Sequence, residues 1–390
     1  MQLHKTPLFS KALAERVLMR IAHVSDTHLG FSAYGRVDEA SGLNQREVDF
    51  YQAFERAVDA ILEAKVDVVL HSGDVFDSVR PSNRALSFAL DQFARISETG
   101  VPTVVIAGNH STPKLRETGS VFKVFEHLKD VHPVYKGEYE EIELGDLVVH
   151  AVPHCEGEAL QNAMAEMKSR PGKLNVGMLH VGVASIQDFR MGEFNEQVVP
   201  VSTLNESLDY IALGHFHGHV NVTRNATYSG SMERLSFAEA GDEKGFVIVD
   251  LVKHKKQFVP IPTRAMLDLE PIDAKRMSAE ELKAAMRDLI EGTELGGKIV
   301  RLRVDDVPSA VYRAVDHAWL RSATADAMHF DARFEVAQEA SAGQRATTHI
   351  DSLEKEFVSF LERYPVERLD KDKLRASGLR YLQRGLESSD

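Results

Sequence analysis

The chain has 390 residues, of which 43% are hydrophobic and 27% charged, with a formal net charge of −13 and one cysteine. This length predicts two or three domains, and the acidic balance excludes a protein that coats nucleic acid by overall charge, although bound cations can reverse the field at one site. No apolar run reaches the roughly 18 residues of a membrane span, and the lone Cys155 is in keeping with a reducing cytoplasm, so we expect a cytoplasmic protein without a membrane partner.

The first long region alternates short apolar runs with turns and amphipathic stretches. The runs RIAHVS, VDVVLHS, VPTVVIA, LVVHAVP, LNVGML and DYIAL are nearly continuous in Val, Ile and Leu, as in strands that are covered on both faces. Between the first two runs, Tyr51, Phe54, Val58 and Ile61 lie on one helical stripe. This order predicts a layered α/β domain over residues 19–263, after an extension of residues 1–18 that lacks the apolar core of a secretion signal.

The pattern changes after residue 263. Ser278 and Glu281 are spaced as a capping box that opens a helix through about Leu289. GGKIVRLRV and MHFDARFEV are typical of strands, and SAVYRAVDHAWLR between them is typical of a helix. Residues 264–338 are therefore predicted to form a small second α/β unit.

The C-terminal region is predicted to be a linker followed by two short helices. Residues 339–350 are poor in large apolar side chains, as linkers are. Within residues 351–390, two apolar stripes at helical spacing are formed by Leu353, Phe357, Phe360 and Leu361, and by Leu374, Leu382 and Leu386. Such helices either cover a partner or fold back on this chain, and the residues alone leave both readings open.

Polar side chains follow five of the predicted strands. They are Asp26 and His28, Asp74 and Asp77, Asn109 and His110, His180, and His215 and His217. Because the carboxyl ends of strands form the crevice where α/β sheets bind ligands, we expect these side chains to meet. If the chain stays extended through GHFH, the two imidazoles of that motif point the same way.

The residue types indicate a metal site. Carboxylate, amide and imidazole groups without a thiolate suit Mn, Fe, Zn or Mg. Two aspartates, one asparagine and four histidines make seven ligands, a number that suits two ions sharing a carboxylate. Such a pair of ions clamps the attacking and leaving oxygens of an in-line phosphoryl displacement. The glycines before Asp74, Asn109 and His215 allow the backbone to approach the site closely.

These motifs resemble a known superfamily. The series DTH, GDVFD, GNH, H and GHFH, over residues 26–217, resembles the calcineurin-like metallophosphoesterases. RIAHVSDTHLG, LHSGDVFDSVRPS and YSGSMERLSFAEAGDEKGF are similar to the SbcD-type DNA repair nucleases, bacterial relatives of the meiotic-recombination double-strand-break nuclease. The resemblance implies an α/β sandwich of mixed sheets flanked by helices, a small α/β capping domain and C-terminal amphipathic helices. It also implies a metal-dependent DNA exonuclease, endonuclease or both.

The resemblance implies roles residue by residue. One manganese ion would be held by Asp26, His28, Asp74 and His217, and a second by Asp74, Asn109, His180 and His215. Mg²⁺ or another divalent metal is an alternative. His110 would be catalytic, steadying the phosphate or protonating the leaving oxygen. Ser111 stands where the family commonly has an acid, so what orients His110 is open. Asp77, a histidine in some relatives, either caps the next helix or supports the site from behind the ligands.

The resemblance also implies partners. These are double-stranded DNA ends in the nucleoid, an SbcC-type coiled-coil ATPase bound through residues 351–390, and a second copy bound through helices at about Pro81–Ser97 and Lys114–Leu128. DNA phosphates would be contacted by arginines near the motifs, namely Arg36, Arg46, Arg80, Arg84 and Arg190. Two rival functions are a phosphatase or phosphodiesterase for small phosphoesters and a non-catalytic scaffold of the same fold.

Overall fold

A computed structural model describes residues 19–113, 119–184, 196–337, 357–358, 360–361 and 371–387 of the chain. Several predicted features lie outside these residues, in whole or in part. They are the extension of residues 1–18, the linker of residues 339–350, most of the first C-terminal helix, residues 114–118 of one predicted dimer segment, and Arg190. Within the described residues, every helix is too short or too polar to cross a membrane.

Two six-stranded sheets form the larger unit. The first contains β1 (Arg20–Val24), β2 (Val68–His71), β3 (Thr103–Ile106), β4 (Val131–Val134), β13 (Gly245–Asp250) and β14 (Lys255–Pro260). Their order is β14-β13-β1-β2-β3-β4, and β1 to β4 are parallel. The second contains β5 (Glu140–Leu144), β6 (Leu147–Val152), β7 (Leu174–His180), β10 (Tyr210–Gly214), β11 (Val220–Asn221) and β12 (Ala226–Tyr228). Their order is β11-β12-β10-β7-β6-β5, and β6, β7, β10 and β12 are parallel. A separate short pair joins β8 (Gly182–Val183) to β9 (Val198–Val199).

The two sheets pack face to face, and helices cover their outer faces. Buried side chains between the sheets include Ile21, Leu70 and Ile106 from the first sheet and Val149 and Met178 from the second. Helices α1 (Gln45–Ala64) and α2 (Asn83–Glu98) cover the first sheet, and α3 (Gly157–Glu166) covers the second. The near-continuous Val, Ile and Leu runs follow from this arrangement, because each central strand is buried on both faces. The predicted fold class, an α/β sandwich of mixed sheets flanked by helices, is confirmed.

A smaller sheet with its own apolar core follows. It contains β15 (Met266–Asp268), β16 (Ile272–Asp273), β17 (Ile299–Val307) and β18 (His329–Val336), with helices α4 (Ala279–Glu291), α5 (Ser309–Arg313) and α6 (His317–Ala323). The Ser278–Glu281 capping box is present and opens α4. The single helix predicted over SAVYRAVDHAWLR is wrong. Asp316 caps a new helix by accepting a hydrogen bond from the backbone N–H of Trp319, so the stretch forms α5 and α6.

Aromatic and ionic contacts join the two units. Tyr34 stacks on His329 with ring centroids 4.3 Å apart, and the Arg301 guanidinium lies 4.5 Å from the ring centroid of Phe237.

The end of the chain contains α7 (Lys371–Glu387). In the second predicted dimer segment, the described part contains a 3₁₀ helix at Val121–His127 instead of an α-helix.

Candidate metal centre

Seven candidate ligands follow the carboxyl ends of five parallel strands. Asp26 and His28 follow β1, Asp74 follows β2, and Asn109 follows β3, all in the first sheet. His180 ends β7, and His215 and His217 follow β10, in the second sheet. The site therefore lies where the same edges of both sheets meet, as expected for parallel strands.

The backbone is strained at four of these positions. Asp26, His28, Asp74 and His215 have φ values of 51°, 41°, 49° and 97°. Side chains other than glycine rarely adopt this left-handed region, and each such residue costs about 1–3 kcal/mol. Strain gathered at one place is typical of a functional site, because a fold retains it where the side-chain position matters.

One group of candidate ligands consists of Asp26, His28 and His217. One ligand atom from each residue lies within 4.8 Å of the others. Nε2 of His28 and Nε2 of His217 are 3.2 Å apart. Behind them, Nδ1 of His28 lies 3.3 Å from Oδ1 of Asp77, and Nδ1 of His217 lies 3.1 Å from Oε1 of Glu239. Carboxylates at both Nδ1 atoms favour protons there, so the two Nε2 lone pairs converge.

A second group lies beside the first. Ligand atoms of Asp26, Asp74 and His180 are within 4.8 Å of one another. Nε2 of His180 lies 3.1 Å from Oδ2 of Asp74 and 2.9 Å from Oδ1 of Asn109. The other ring nitrogen, Nδ1, donates to the carbonyl oxygen of Ser72 at 2.8 Å, which directs Nε2 toward the carboxylate.

The backbone leaves the extended conformation at the HFH motif, so the condition under which its two imidazoles would point the same way is not met. β10 ends at Gly214, and the φ of His215 is 97°. The ring of His215 lies beside His180, with centroids 5.4 Å apart, while the ring of His217 lies beside His28 at 5.0 Å. The two histidines therefore serve neighbouring groups of the site through a bend in the chain.

His110 takes its orientation from the main chain. Its Nδ1 donates to the carbonyl oxygen of Asp77 at 2.9 Å, and its backbone N–H donates to Oδ1 of Asp74 at 3.0 Å. This carbonyl oxygen is the group that orients the His110 ring, the question left open by Ser111 standing at the position where the resemblance implies an acid. Of the two readings of Asp77, the helix-cap reading is wrong, because Ser82 caps α2 by accepting from the N–H of Ala85.

Carboxylates and imidazoles in the site shift one another's pKa values in favour of their charged forms. Burial opposes ionisation of Asp74, but the imidazoles of His180, His28 and His110 hold its pKa far below the usual value. Burial also opposes protonation of His180, yet the carboxylates of Asp74 and Asp26 raise its pKa to about 9. The pocket thus favours positive charge at its centre.

The donor set fits divalent cations. Asp26 and Asp74 are completely or almost completely buried, and among the described residues neither carboxylate pairs with lysine or arginine. Burying two carboxylates without a cation is costly, and two converging imidazole lone pairs repel each other. Oxygen and nitrogen ligands without sulfur suit Mn²⁺, Mg²⁺, Fe²⁺ or Zn²⁺.

Glycines keep the strand ends close together, as predicted. A β-carbon at Gly73 would overlap the ring of His180, and one at Gly214 would overlap the carbonyl oxygen of Ser72. The approach of the end of β2 to the ends of β7 and β10, which brings Asp74 near His180, therefore requires glycine at both positions.

Sequence reasoning missed the groups behind the histidine pair. Nε2 of His215 lies 3.2 Å from Oε1 of Glu196, and Glu239 contacts His217 as described above. Lys244 is buried beside Glu239, with Nζ 2.5 Å from Oε2. Glu239 and Lys244 belong to the SFAEAGDEKGF stretch, whose paired acidic and basic residues were the available signal. Nothing in the sequence around Glu196 marks it.

The arginines predicted to contact DNA differ in exposure. Arg46 is completely buried and pairs with Asp49 at 2.7 Å and with Glu233 at 2.8 Å, so a DNA phosphate cannot reach it and this prediction is wrong. Arg36 and Arg80 are exposed. Arg84 is largely exposed and lies 3.3 Å from Glu47.

The larger unit matches a known family. The sequence profile of the calcineurin-like phosphoesterases matches residues 19–219, which is more than half of the chain. This stretch contains all seven candidate ligands and His110.

Curated relatives carry the name DNA double-strand break repair protein Mre11. The chain is 30% identical over 201 residues to that of Sulfurisphaera tokodaii, covering 51% of this chain and 49% of the relative. It is 32% identical over 246 residues to that of Methanocaldococcus jannaschii, covering 60% and 62%. For Methanopyrus kandleri the identity is 28% over 298 residues, covering 69% and 62%. The chain thus spans about half to three fifths of the length of these relatives.

Solved structures of phosphoesterases are more distant. A purple acid phosphatase from yellow lupin seeds is 13% identical with a TM-score of 0.39, over 64% of this chain and 54% of that one. The calcineurin-like phosphoesterase YfkN from Bacillus subtilis is 12% identical with a TM-score of 0.34, over 63% and 90%.

Proposed function

The chain belongs to the calcineurin-like phosphoesterase family, and on that premise we propose that it is a metal-dependent nuclease acting on double-stranded DNA ends. The observation that carries the proposal is the group of buried oxygen and nitrogen ligands, with His110 beside it. DNA as the substrate is supported by the relatives named for DNA double-strand break repair.

We assign two cations to the site, with Mn²⁺ as the first candidate. Asp26, His28 and His217 would hold one ion, Asn109, His180 and His215 the other, and Asp74 would contact both. When bound, such a pair supplies Lewis-acid stabilisation of a phosphodiester and lowers the pKa of an attacking water.

His110 would move a proton at Nε2. Its Nδ1 proton is committed to the carbonyl oxygen of Asp77, so Nε2 is the nitrogen left to face a substrate. Protonated at Nε2, the ring can steady a phosphate oxygen or donate to the leaving oxygen. Asp74 helps to set this position through its contact with the His110 backbone N–H.

The remaining parts of the proposal concern assembly. Residues 264–338 would be a capping domain, and residues 351–390 would bind a coiled-coil ATPase of the SbcC type. A homodimer would form through the region of α2 and the segment up to Leu128. The exposed Arg36 and Arg80, together with Arg84, are proposed to contact DNA phosphates, and the protein is assigned to the cytoplasm near the nucleoid.

A digestion assay tests the substrate. The purified chain is incubated with linear duplex DNA and Mn²⁺, and in parallel with p-nitrophenyl phosphate and bis-p-nitrophenyl phosphate. We expect nucleotides or short fragments from DNA, no release after chelation, and loss of activity in Asp74→Asn. Asp288→Asn, an exposed residue of α4, is the matched control and should retain full activity.

The two rival functions have distinct outcomes in this assay. Faster turnover of the small phosphoesters with intact DNA would identify a phosphatase or phosphodiesterase. A folded chain that binds no Mn²⁺ and turns over neither substrate would identify a scaffold.

A further inference from the structure

The stretch SGSMERLSFAEAGDEKGF contains no candidate ligand, yet it lies directly behind one. Oε1 of Glu239 is 3.1 Å from Nδ1 of His217, and Nε2 of the same ring is 3.2 Å from Nε2 of His28. A carboxylate oxygen only accepts, so the proton of the His217 ring belongs on Nδ1 and the lone pair on Nε2. The carboxylate thus fixes both the tautomer and the direction of the ring.

Lys244 holds this carboxylate and the histidine backbone together. Its side chain is completely buried, and its Nζ donates to Oε2 of Glu239 at 2.5 Å and to the carbonyl oxygen of His217 at 3.0 Å. A third contact, to Oδ2 of Asp242, is 3.3 Å long. A buried lysine is costly unless it is paired, so these contacts form one interdependent group.

The second unit fixes the loop that carries Glu239. Phe237 is buried in a cluster with Met266, Ile299 and Met328, and the Arg301 guanidinium lies over its ring. One residue, Ala238, separates this anchor from Glu239. The loop is therefore held between the smaller sheet and His217, with little freedom to shift.

We infer that Glu239 and Lys244 are positioning residues that set the affinity of one cation position, the one formed by Asp26, His28 and His217. At the other cation position, His180 contacts the carbonyl oxygen of Ser72, Oδ2 of Asp74 and Oδ1 of Asn109, and among the described residues it does not contact this pair. The pair therefore acts on one cation position and leaves the other almost unchanged. This inference rests on the proposed two-cation centre.

Mn²⁺ titration of the full chain, followed by calorimetry and metal analysis, tests the inference without DNA. Wild type should bind two Mn²⁺ ions. In Glu239→Gln, one ion should bind about 10- to 100-fold more weakly while the other keeps its affinity, as for other residues that orient a metal ligand. Lys244→Met should produce the same one-site loss.

The matched control is Glu243→Gln, the same substitution at an exposed residue of the same loop. It should bind both ions as wild type does. Unchanged binding of two ions by Glu239→Gln, or equal weakening of both positions, would overturn the inference and leave the proposed function standing. A wild-type chain that binds no Mn²⁺ would overturn both.

A measurement on the wild-type ring of His217 covers the case in which the Glu239 and Lys244 variants fail to fold. The chain is labelled with ¹⁵N-histidine and loaded with diamagnetic Zn²⁺, and His217→Gln assigns the ring signals. We expect a proton on Nδ1 of His217 and a metal-bound Nε2. The opposite arrangement would contradict the role of Glu239.

Discussion

His110 is oriented by the main chain, as His180 is. The ring of His110 receives its orientation from the carbonyl oxygen of Asp77, and the ring of His180 from that of Ser72. Any residue at position 77 supplies that oxygen, and Ser111 contributes no hydrogen bond from its buried hydroxyl among the described residues. A main-chain acceptor therefore makes an acid at position 111 unnecessary.

Removing the His110 ring tests whether this residue acts in cleavage without being a metal ligand. We expect His110→Ala to keep at least nine tenths of the Mn²⁺ content and to lose about 100-fold or more in the rate of DNA cleavage, as for loss of a general acid. Metal analysis and the digestion assay on one preparation measure both. Loss of metal together with activity would mean that His110 is itself a ligand.

At the scale of single residues, the sequence predicts which side chains line the site better than it predicts their contacts. The seven candidate ligands are predictable because each follows an apolar run, and runs in parallel strands end at one edge. Glu196 and Glu239 are not predictable in the same way, since a single carboxylate in a loop has no periodicity. The burial of Arg46 was also hidden, because its partner Glu233 is 187 residues away.

At the scale of elements, the site depends on how closely strand ends approach. β2 belongs to one sheet and β7 and β10 to the other, yet Gly73 after β2 lies against His180 at the end of β7, and Gly214 at the end of β10 lies against Ser72 after β2. The lengths of these strands were predictable from apolar runs, with ends shifted by one or two residues. The bend at His215 was not predictable, because its φ depends on the contact of its N–H with Asp26 across the sandwich.

Adding one methyl group at Gly214 should lower the free energy of unfolding. In Gly214→Ala the new β-carbon meets the carbonyl of Ser72, a backbone atom that cannot move away as a side chain can. We expect a loss of about 1–3 kcal/mol in the free energy of unfolding, the usual range for overpacking. Denaturant unfolding measures it. Gly241→Ala, with open space at its β-carbon, is the control, and equal midpoints for the two variants would contradict the packing argument.

At the scale of the whole molecule, buried polar groups connect the layers. Nδ1 of His23 in β1 lies 2.9 Å from the hydroxyl of Tyr210 in β10, so this contact crosses between the sheets. Arg46 of α1 joins Glu233 and, through Asp49, Arg264 at the start of the smaller unit. The order of strands was predictable from the sequence, but these cross-layer contacts depend on the finished packing.

The buried histidines should make stability depend on pH. Burial and the neighbouring His71 lower the pKa of His23 to about 3, and burial lowers that of His71 to about 4, although Asp26 and Asp74 oppose the second shift. Both groups titrate near 6.5 when unfolded, so the unfolded chain binds more protons below that pH. Stability contributed by the neutral rings is full above about pH 6.5 and falls as pH decreases toward 4.

Comparison with one variant isolates this contribution from the carboxylates. Denaturant unfolding of the metal-free chain is measured from pH 5 to pH 8, and the slope below pH 6.5 is compared with that of His23→Gln. We expect the slope to decrease by about 1.4 kcal/mol per pH unit, the value for one proton. His127→Gln, at an exposed position, should leave it unchanged, and identical slopes for all three proteins would refute the assignment.

Arg46 should contribute to the stability of the fold and not to DNA binding. Arg46→Ala leaves Glu233 and Asp49 buried with one cation fewer, and we expect a loss of about 3–5 kcal/mol in the free energy of unfolding. Arg36→Ala removes an exposed charge and should leave stability within about 0.5 kcal/mol of wild type while weakening DNA binding. Thermal unfolding and a DNA-binding titration separate the two, and a stable Arg46→Ala chain with weakened DNA binding would restore the phosphate-contact reading.

Each proposed cation would draw ligands from both sheets of the sandwich, since Asp26, His28, Asp74 and Asn109 belong to one and His180, His215 and His217 to the other. An ion bound there would link the two sheets. Free metal at 100 times its dissociation constant would add about 2.7 kcal/mol per independent ion to the free energy of unfolding. Metal supply would then govern how long a molecule survives as well as how fast it works, and a cell short of the ion would hold fewer copies of the enzyme, each more easily unfolded.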